Sequence, residues 1–390
     1  MIRSVFTAFL LFFGCSGLFA VAAATAPLVP LVPQPSGTPW PTQQWPGGPL
    51  PRSFDRSSLA RLLGVVKRYD PDLQQTREVV VVWRGRLVAE AYANGFGPET
   101  RLVSWSMAKS INHALVGIAA RKGLLNPDQP MPNSAYPATD PHGKVTWRQW
   151  LNMVDGMDFH EDGAKRIEDN DSADMLYGAG RFDIAAYAAK LPMVHPPGTV
   201  WNYNSAGMDL VANSLGQRVA PHESRPAARR AAMTKFMSAE LFQKIGMHSA
   251  HVEFDPAGTA VLASLVYATA RDFAKLGYLY LRDGTWDGQH ILPSGWVDFA
   301  RSKNPAGNSD TYGAGWWIVP ADSSKKPYDS DIPPQAPRDM FYADGHDGQH
   351  IFVVPSKDLV IVRLGVTYSP NGSAAIGRWV TSVIDLFPDR

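Results

Sequence analysis

Cysteine is nearly missing from this chain: Cys15 is the only one among 390 residues. It falls in an N-terminal stretch that reads as a secretory signal. Arg3 is the positive end, residues 5–13 form the apolar core, and Ala22-Ala23-Ala24 offers a small-residue cleavage site. Cleavage near Ala24 leaves no thiols, which excludes cysteine catalysis, disulfides and thiolate-bound metal. The alternative, a lipidated Cys15 behind Gly14, is disfavoured by Phe12 and Phe13. The apolar run is short and broken by Gly14 and Gly17, so no stable membrane span is expected after cleavage, and the expected location is periplasmic or secreted. Excess charge is missing too. Lys and Arg number 37 against 36 Asp and Glu, a net +1 that gives no case for a nucleic-acid partner. There is no Gly-x-Ser-x-Gly, no His-Glu-x-x-His and no glycine-rich phosphate loop, so an α/β-hydrolase elbow, zinc chemistry and nucleotide chemistry lack their motifs. His160, His248 and His251 stand isolated and read as surface or capping residues. No metal and no cofactor are expected.

Proline, in contrast, is dense over residues 27–51, and fixed φ angles make that stretch an extended tether or a wrapped arm. We divide the chain into a signal at 1–24, a Pro-rich tether at 25–52 and a body at 53–390. Periodicity predicts a helix over 59–69 and a hairpin of residues 78–83 and 87–92 around a glycine turn. Residues 123–262 are mostly helical in pattern, with 218–230, rich in arginine, reading as a solvated insertion. A helix over 270–281, a hairpin of 350–354 with 359–364 and a terminal helix over 375–387 follow. Strands at both ends with helices between predict an α+β fold. Its antiparallel sheet, flanked by helices, is built from about 53–122 and 263–390, with a mostly helical subdomain of about 123–262 inserted.

The chemistry concentrates in Ser106-Met107-Ala108-Lys109, which leads into an apolar helical pattern at Ile111, Leu115 and Ile118. Ser104 is a suitable N-cap, placing Ser106 in the first helical turn with Lys109 on the same face. One turn rises about 5.4 Å, so the amine can reach the Ser106 hydroxyl. A serine becomes a nucleophile when such a base takes its proton, and unpaired N–H groups of a first turn can stabilise an oxyanion. The motif alone is weakly specific, since Ser323-Ser324-Lys325-Lys326 repeats it in a polar segment. Two further stretches accompany it: Tyr203-Asn204-Ser205, between the Pro196-Pro197-Gly198-Thr199 break and a helix, and residues 343–349, a glycine-bearing edge before the last hairpin.

In this order and spacing the chain resembles the serine β-lactamase and penicillin-recognising superfamily, β-lactamase/transpeptidase-like in fold. Within it the resemblance is to the class C-like branch of class VIII esterases and 6-aminohexanoate-dimer hydrolases. Residues 145–159, 174–178, 195–207, 269–272 and 280–284 support it, and it covers about 55–388. The resemblance implies an acyl-enzyme on Ser106, with Lys109 and Tyr203 as proton-transfer groups. The third family motif, Lys-Thr-Gly, is replaced either by Ala343-Asp344-Gly345 or by His346-Asp347-Gly348. The first is preferred and makes the backbone N–H of His346 the oxyanion donor beside that of Ser106. Neither carries the lysine that helps hold a substrate carboxylate. Ser205 stands where lactamases usually have an asparagine that binds the acylamido group. Both departures point to an esterase or small-amide hydrolase acting on a small-molecule substrate. Ser205, Gly345 and Trp105 are candidate substrate contacts. Asp171 and Asp174 sit where the oligoamide hydrolases have substrate-contacting loops, although helix capping is their simpler role. Trp316 and Trp317, with Trp105, read as core and cleft wall, favouring an apolar acyl or alkyl group. The other readings are a β-lactamase or D-Ala-D-Ala carboxypeptidase, and a non-catalytic binder of peptidoglycan fragments.

Overall fold

The computed structural model describes residues 28–390 apart from 138, 162–168, 307 and 321–334. The signal stretch, Cys15 and the second Ser-x-x-Lys match lie outside the described residues. The first hairpin forms from β1 (Gln75–Trp83) and β2 (Arg86–Tyr92). Arg84 and Gly85 between them both take positive φ, 50° and 73°, the twist a two-residue hairpin turn requires. The short strands β3 (Leu102–Val103), β4 (His251–Val252) and β5 (Val266–Ala268) build a small separate sheet in the order β3-β5-β4. A two-stranded ribbon, β6 (Thr285–Trp286) and β7 (Gln289–His290), precedes β8 (Trp317–Ile318) and β9 (Phe341–Gly345). The last hairpin is β10 (Gln349–Val354) with β11 (Leu359–Val366).

The main sheet is antiparallel in the order β2-β1-β11-β10-β9-β8, so the first long strand of the body pairs with the last, Val80 opposite Val362. Val79 to Val82 and Leu359 to Val362 are buried at every position. Such unbroken burial needs cover on both faces. Helix α1 (Arg56–Leu63) and the terminal helix, which runs Gly372–Ile384, supply one contact, the Trp379 indole donating to Leu62 O at 3.1 Å. On the helix Ala270–Leu281, Gly277 lets the backbone approach Ile351 and Val360 closely.

Helix α2 (Ala108–Arg121) is buried along almost its whole length. The helical half comprises α3 (Trp147–Leu151), α4 (Asp171–Tyr177), α5 (Ile184–Ala188), α6 (Ser205–Val219), α7 (Pro226–Met237) and α8 (Gln243–Ile245). Helix α3 begins where Thr146 and Gln149 form a capping box. The arginine-rich stretch 218–230 contains no buried residue, in keeping with a solvated segment; from Pro226 it runs into helix α7, whose later residues Met233, Phe236 and Met237 are buried. The chain then returns through α9 (Ala270–Leu281) and α10 (Trp296–Arg301), ending in α11 (Gly372–Ile384). The proline-rich stretch is a wrapped arm over its described part, not a free tether. Val32, Trp45 and Leu50 are buried, the Trp45 indole donates to Arg271 O at 2.9 Å, and Gly47 bridges to Leu87.

One buried ion pair ties these layers. Arg282, at the end of α9, donates to Asp358 at 2.6 Å, and Asp358 sits in the β10–β11 turn at φ 50° with its carbonyl accepting from Arg84 N. Removing one member of a buried pair leaves the other charge uncompensated. Arg282→Ala is expected to lower unfolding free energy by about 3–5 kcal/mol in urea titrations, and a loss under about 1 kcal/mol would contradict this role.

Candidate active site

Ser106 does not open α2. It lies in a separate 3-10 turn, Trp105–Met107, inserted between β3 and the helix. Trp105 takes φ 44°, a conformation bulky residues rarely hold unless the surroundings fix it. Ser104 supplies part of that restraint. Its hydroxyl donates to Trp105 O at 2.8 Å and accepts from Val266 N at 3.2 Å, tying the turn to β5. The expected N-cap is therefore corrected, because the Ser104 side chain is spent on strand β5 and makes no cap bond.

Lys109 follows one turn later with 1% of its surface exposed. Its Nζ lies 2.9 Å from Ser106 Oγ, 2.8 Å from Ser205 Oγ and 2.9 Å from Ala263 O. It also sits 4.8 Å from the centre of the Tyr203 ring. Tyr203 is buried against Trp317, stacked at 5.5 Å, with Tyr312 edge-on at 6.1 Å. Asn204 caps α6 by accepting from Gly207 N at 2.8 Å and donates to Asp155 at 3.0 Å. Burial pushes the Asp155 carboxyl up to about 6. Asp209, a turn further along α6, accepts from Ala263 N at 2.9 Å. Burial pushes its pKa up, against the pull of that N–H and of Lys109.

The third stretch divides as its backbone demands. Ala343, Asp344 and Gly345 end strand β9, opposite Ile351, His350 and Gln349, whereas His346–Gly348 is a turn with Asp347 at φ 61° and Gly348 at φ 80°. A Cβ on Gly345 would stand 2.2 Å from Ser104 O, so glycine is what lets β9 lie against the Ser106 turn. The turn is braced from beneath. The Gln349 amide donates to His346 O at 3.1 Å and to Gly365 O at 2.7 Å, and the buried Arg363 donates to Gly348 O at 2.7 Å. Trp105 meets the His346 ring edge-on at 5.5 Å.

Ser106, Tyr203, Trp105, Trp317, Gly345 and His346 all line one cleft of about 540 Å³. Trp316 is core, fully buried against Tyr280. Three expected substrate contacts do not reach the cleft. Ser205 is wholly buried and faces inward, between Lys109 and Glu161. The Asp171 carboxylate accepts from His160 N at 2.7 Å, and Asp174 accepts from Ala179 N at 2.9 Å past the end of α4; both are spent on local backbone. The wall that α4 contributes is Ser172, Ala173, Leu176 and Tyr177 instead. Glu161 lines the cleft and accepts from Ser205 N and Oγ at 3.2 and 2.9 Å. Nothing in the sequence marks it apart from a polar residue next to His160.

Gly345→Ala is expected to lower stability by about 1–3 kcal/mol, read as a drop in thermal midpoint, because the added methyl meets backbone that cannot move aside. An unchanged midpoint would show that β9 is not held against Ser104.

Comparison with known proteins agrees with this geometry. The Beta-lactamase family model matches residues 60–382. The 6-aminohexanoate-dimer hydrolase of Paenarthrobacter ureafaciens is 25% identical over 328 residues, spanning 77% of this chain and 76% of that protein. Among solved structures, a candidate 6-aminohexanoate-dimer hydrolase from Bacillus anthracis superposes with TM-score 0.66 at 21% identity, covering 90% of this chain and 89% of that one. A family VIII carboxylesterase gives 0.59 at 14% identity, covering 87% and 99%. With a family match over most of its length, a β-lactamase/transpeptidase-like fold and a serine beside a buried lysine, the chain belongs to the Beta-lactamase family and is a serine hydrolase.

Proposed function

We propose that the protein hydrolyses carboxylic esters or small amides through an acyl-enzyme on Ser106. The observation that carries this reading is the 2.9 Å contact between Ser106 Oγ, at the cleft, and the buried Nζ of Lys109. In the first step the Ser106 proton passes to Lys109 as Oγ bonds to the substrate carbonyl carbon. The oxyanion that forms is held by the backbone N–H groups of Ser106 and His346. Breaking the bond to the leaving group expels an alcohol or amine, which takes its proton through Tyr203. Water then attacks the acyl carbon, gives its proton to the same Tyr203 and Lys109 pair, and releases the carboxylic acid as Ser106 regains its proton.

The cleft wall supports uncharged or cationic substrates. Its carboxylates are Glu161, Asp344 and Asp347, and no Lys or Arg is among the described lining residues. The two histidines present are already engaged, His350 Nε2 with Asp344 at 3.0 Å and His346 Nε2 with Asp347 at 3.3 Å. A substrate carboxylate, as β-lactams carry, would meet charge of its own sign. Apolar groups find Trp105 and Trp317 on the wall and, at the mouth, Tyr177 and Tyr368, 60% and 76% exposed. The order of residues 1–24 supports export of this hydrolase.

Purified protein incubated with p-nitrophenyl butyrate, a chromogenic cephalosporin and 6-aminohexanoate dimer is expected to turn over the ester fastest. Ser106→Ala is expected to lower that rate by about 10⁴-fold or more. Dominant cephalosporin turnover would instead favour a β-lactamase, and absence of turnover with tight muropeptide binding a non-catalytic binder. p-Nitrophenyl hemisuccinate, which adds a carboxylate to the acyl chain, is expected to show kcat/KM about tenfold below the butyrate at moderate salt. Equal values would contradict the acidic-wall argument.

A further inference from the structure

Glu161 and Ser205 form a pair that the catalytic steps above do not use. Ser205 gives both its N–H and its O–H to the Glu161 carboxylate, at 3.2 and 2.9 Å, and Lys109 Nζ lies 2.8 Å from Ser205 Oγ. A line of contacts thus runs from Glu161 through Ser205 and Lys109 to Ser106.

A hydroxyl has one proton to donate, and a carboxylate has none. The Ser205 proton therefore points at Glu161, and its Oγ offers Lys109 only lone pairs. Ala263 O, 2.9 Å from Nζ, also only accepts. A neutral amine carries two N–H bonds and one lone pair. With acceptors held at Ser205 Oγ and Ala263 O, its two N–H bonds are drawn there and the lone pair faces Ser106 Oγ, the arrangement a base needs. Freed from Glu161, the Ser205 hydroxyl can rotate and donate to that lone pair, leaving Lys109 to donate toward Ser106. The amine would then face the nucleophile in the wrong sense.

Building on Ser106 as the nucleophile, we infer that Glu161 is a positioning residue: by committing the Ser205 proton it turns the Lys109 lone pair onto Ser106. The pair belongs to this chain's own departure from the usual motif, since an asparagine at 205 would bring its own N–H donors to the same place.

Kinetics on p-nitrophenyl butyrate with Glu161→Leu, Glu161→Gln, Ser205→Ala and the Glu161→Leu/Ser205→Ala double variant test this. Glu161→Leu is expected to lower kcat by about 10–100-fold with KM within about twofold of wild type. Glu161→Gln, whose amide oxygen still accepts the Ser205 proton, is expected to recover most of that loss. In the Ser205→Ala background, Glu161→Leu is expected to change kcat by less than about twofold, because its effect has lost its route. The same loss with or without Ser205, a change confined to KM, or a Gln variant no better than Leu would overturn the inference. Circular dichroism melts check folding; should Glu161→Leu fail to fold, the cycle is run with Glu161→Ala, which also removes the acceptor and whose loss must likewise vanish without Ser205. Ser106→Ala run in parallel separates the two levels. Wild-type turnover there overturns the acyl-enzyme reading itself, whereas its loss beside an unaltered kcat in Glu161→Leu overturns only the role given to Glu161.

Discussion

A lysine amine with 1% of its surface exposed is the constraint around which this molecule is arranged. Taking such a group out of water costs several kcal/mol unless its hydrogen bonds are replaced. The replacements come from parts of the chain far apart in sequence: Ser106 just before α2, Ser205 at the start of α6 and Ala263 ahead of β5. Holding one nitrogen thus fixes the helical half against the sheet half. Asp209 on α6 reinforces the junction by taking the Ala263 N–H, so the carbonyl that meets Lys109 is itself held in place.

The sheet does complementary work. Pairing the first long strand with the last closes the body on itself, and β9 is carried by β10 to the edge where Gly345 can touch Ser104. Strain is placed where position matters. Trp105 and Asp347, both at positive φ, stand on the two sides of that contact, one just before Ser106 and one in the turn beyond β9. The Gln349 and Arg363 hydrogen bonds to the 346–348 carbonyls hold the second of these without a regular strand to lean on. Local irregularity at the cleft therefore rests on regular, fully buried strands behind it.

Much of this was legible in the residues. The two hairpins showed as β-branched runs around short turns, and α2 and α9 as apolar periodicity, because burial dictates their pattern. Ser106, Lys109 and Tyr203 were legible because three spaced segments had to agree, and the structure brings all three to one place. Strands β3, β4 and β5 were not, being only two or three residues long, too short for any period. Helix α7 hid behind its arginines, since a charged face outweighs three buried residues in composition. Ser205, Asp171 and Asp174 were placed by analogy with substrate contacts, yet a side chain's direction depends on a neighbour such as Glu161 or His160 that sequence distance conceals. Glu161 had no signal of its own; its meaning exists only once the fold sets it beside Ser205.

Every step of the proposed reaction depends on Ser106 becoming covalently acylated, and such an intermediate can be sought directly. Mixing the protein with p-nitrophenyl butyrate, quenching in acid within milliseconds to seconds and mapping peptides by mass spectrometry should find one butyryl group on the peptide that contains Ser106. An unmodified Ser106 peptide throughout turnover, or an acyl group carried by any other residue, would contradict the account.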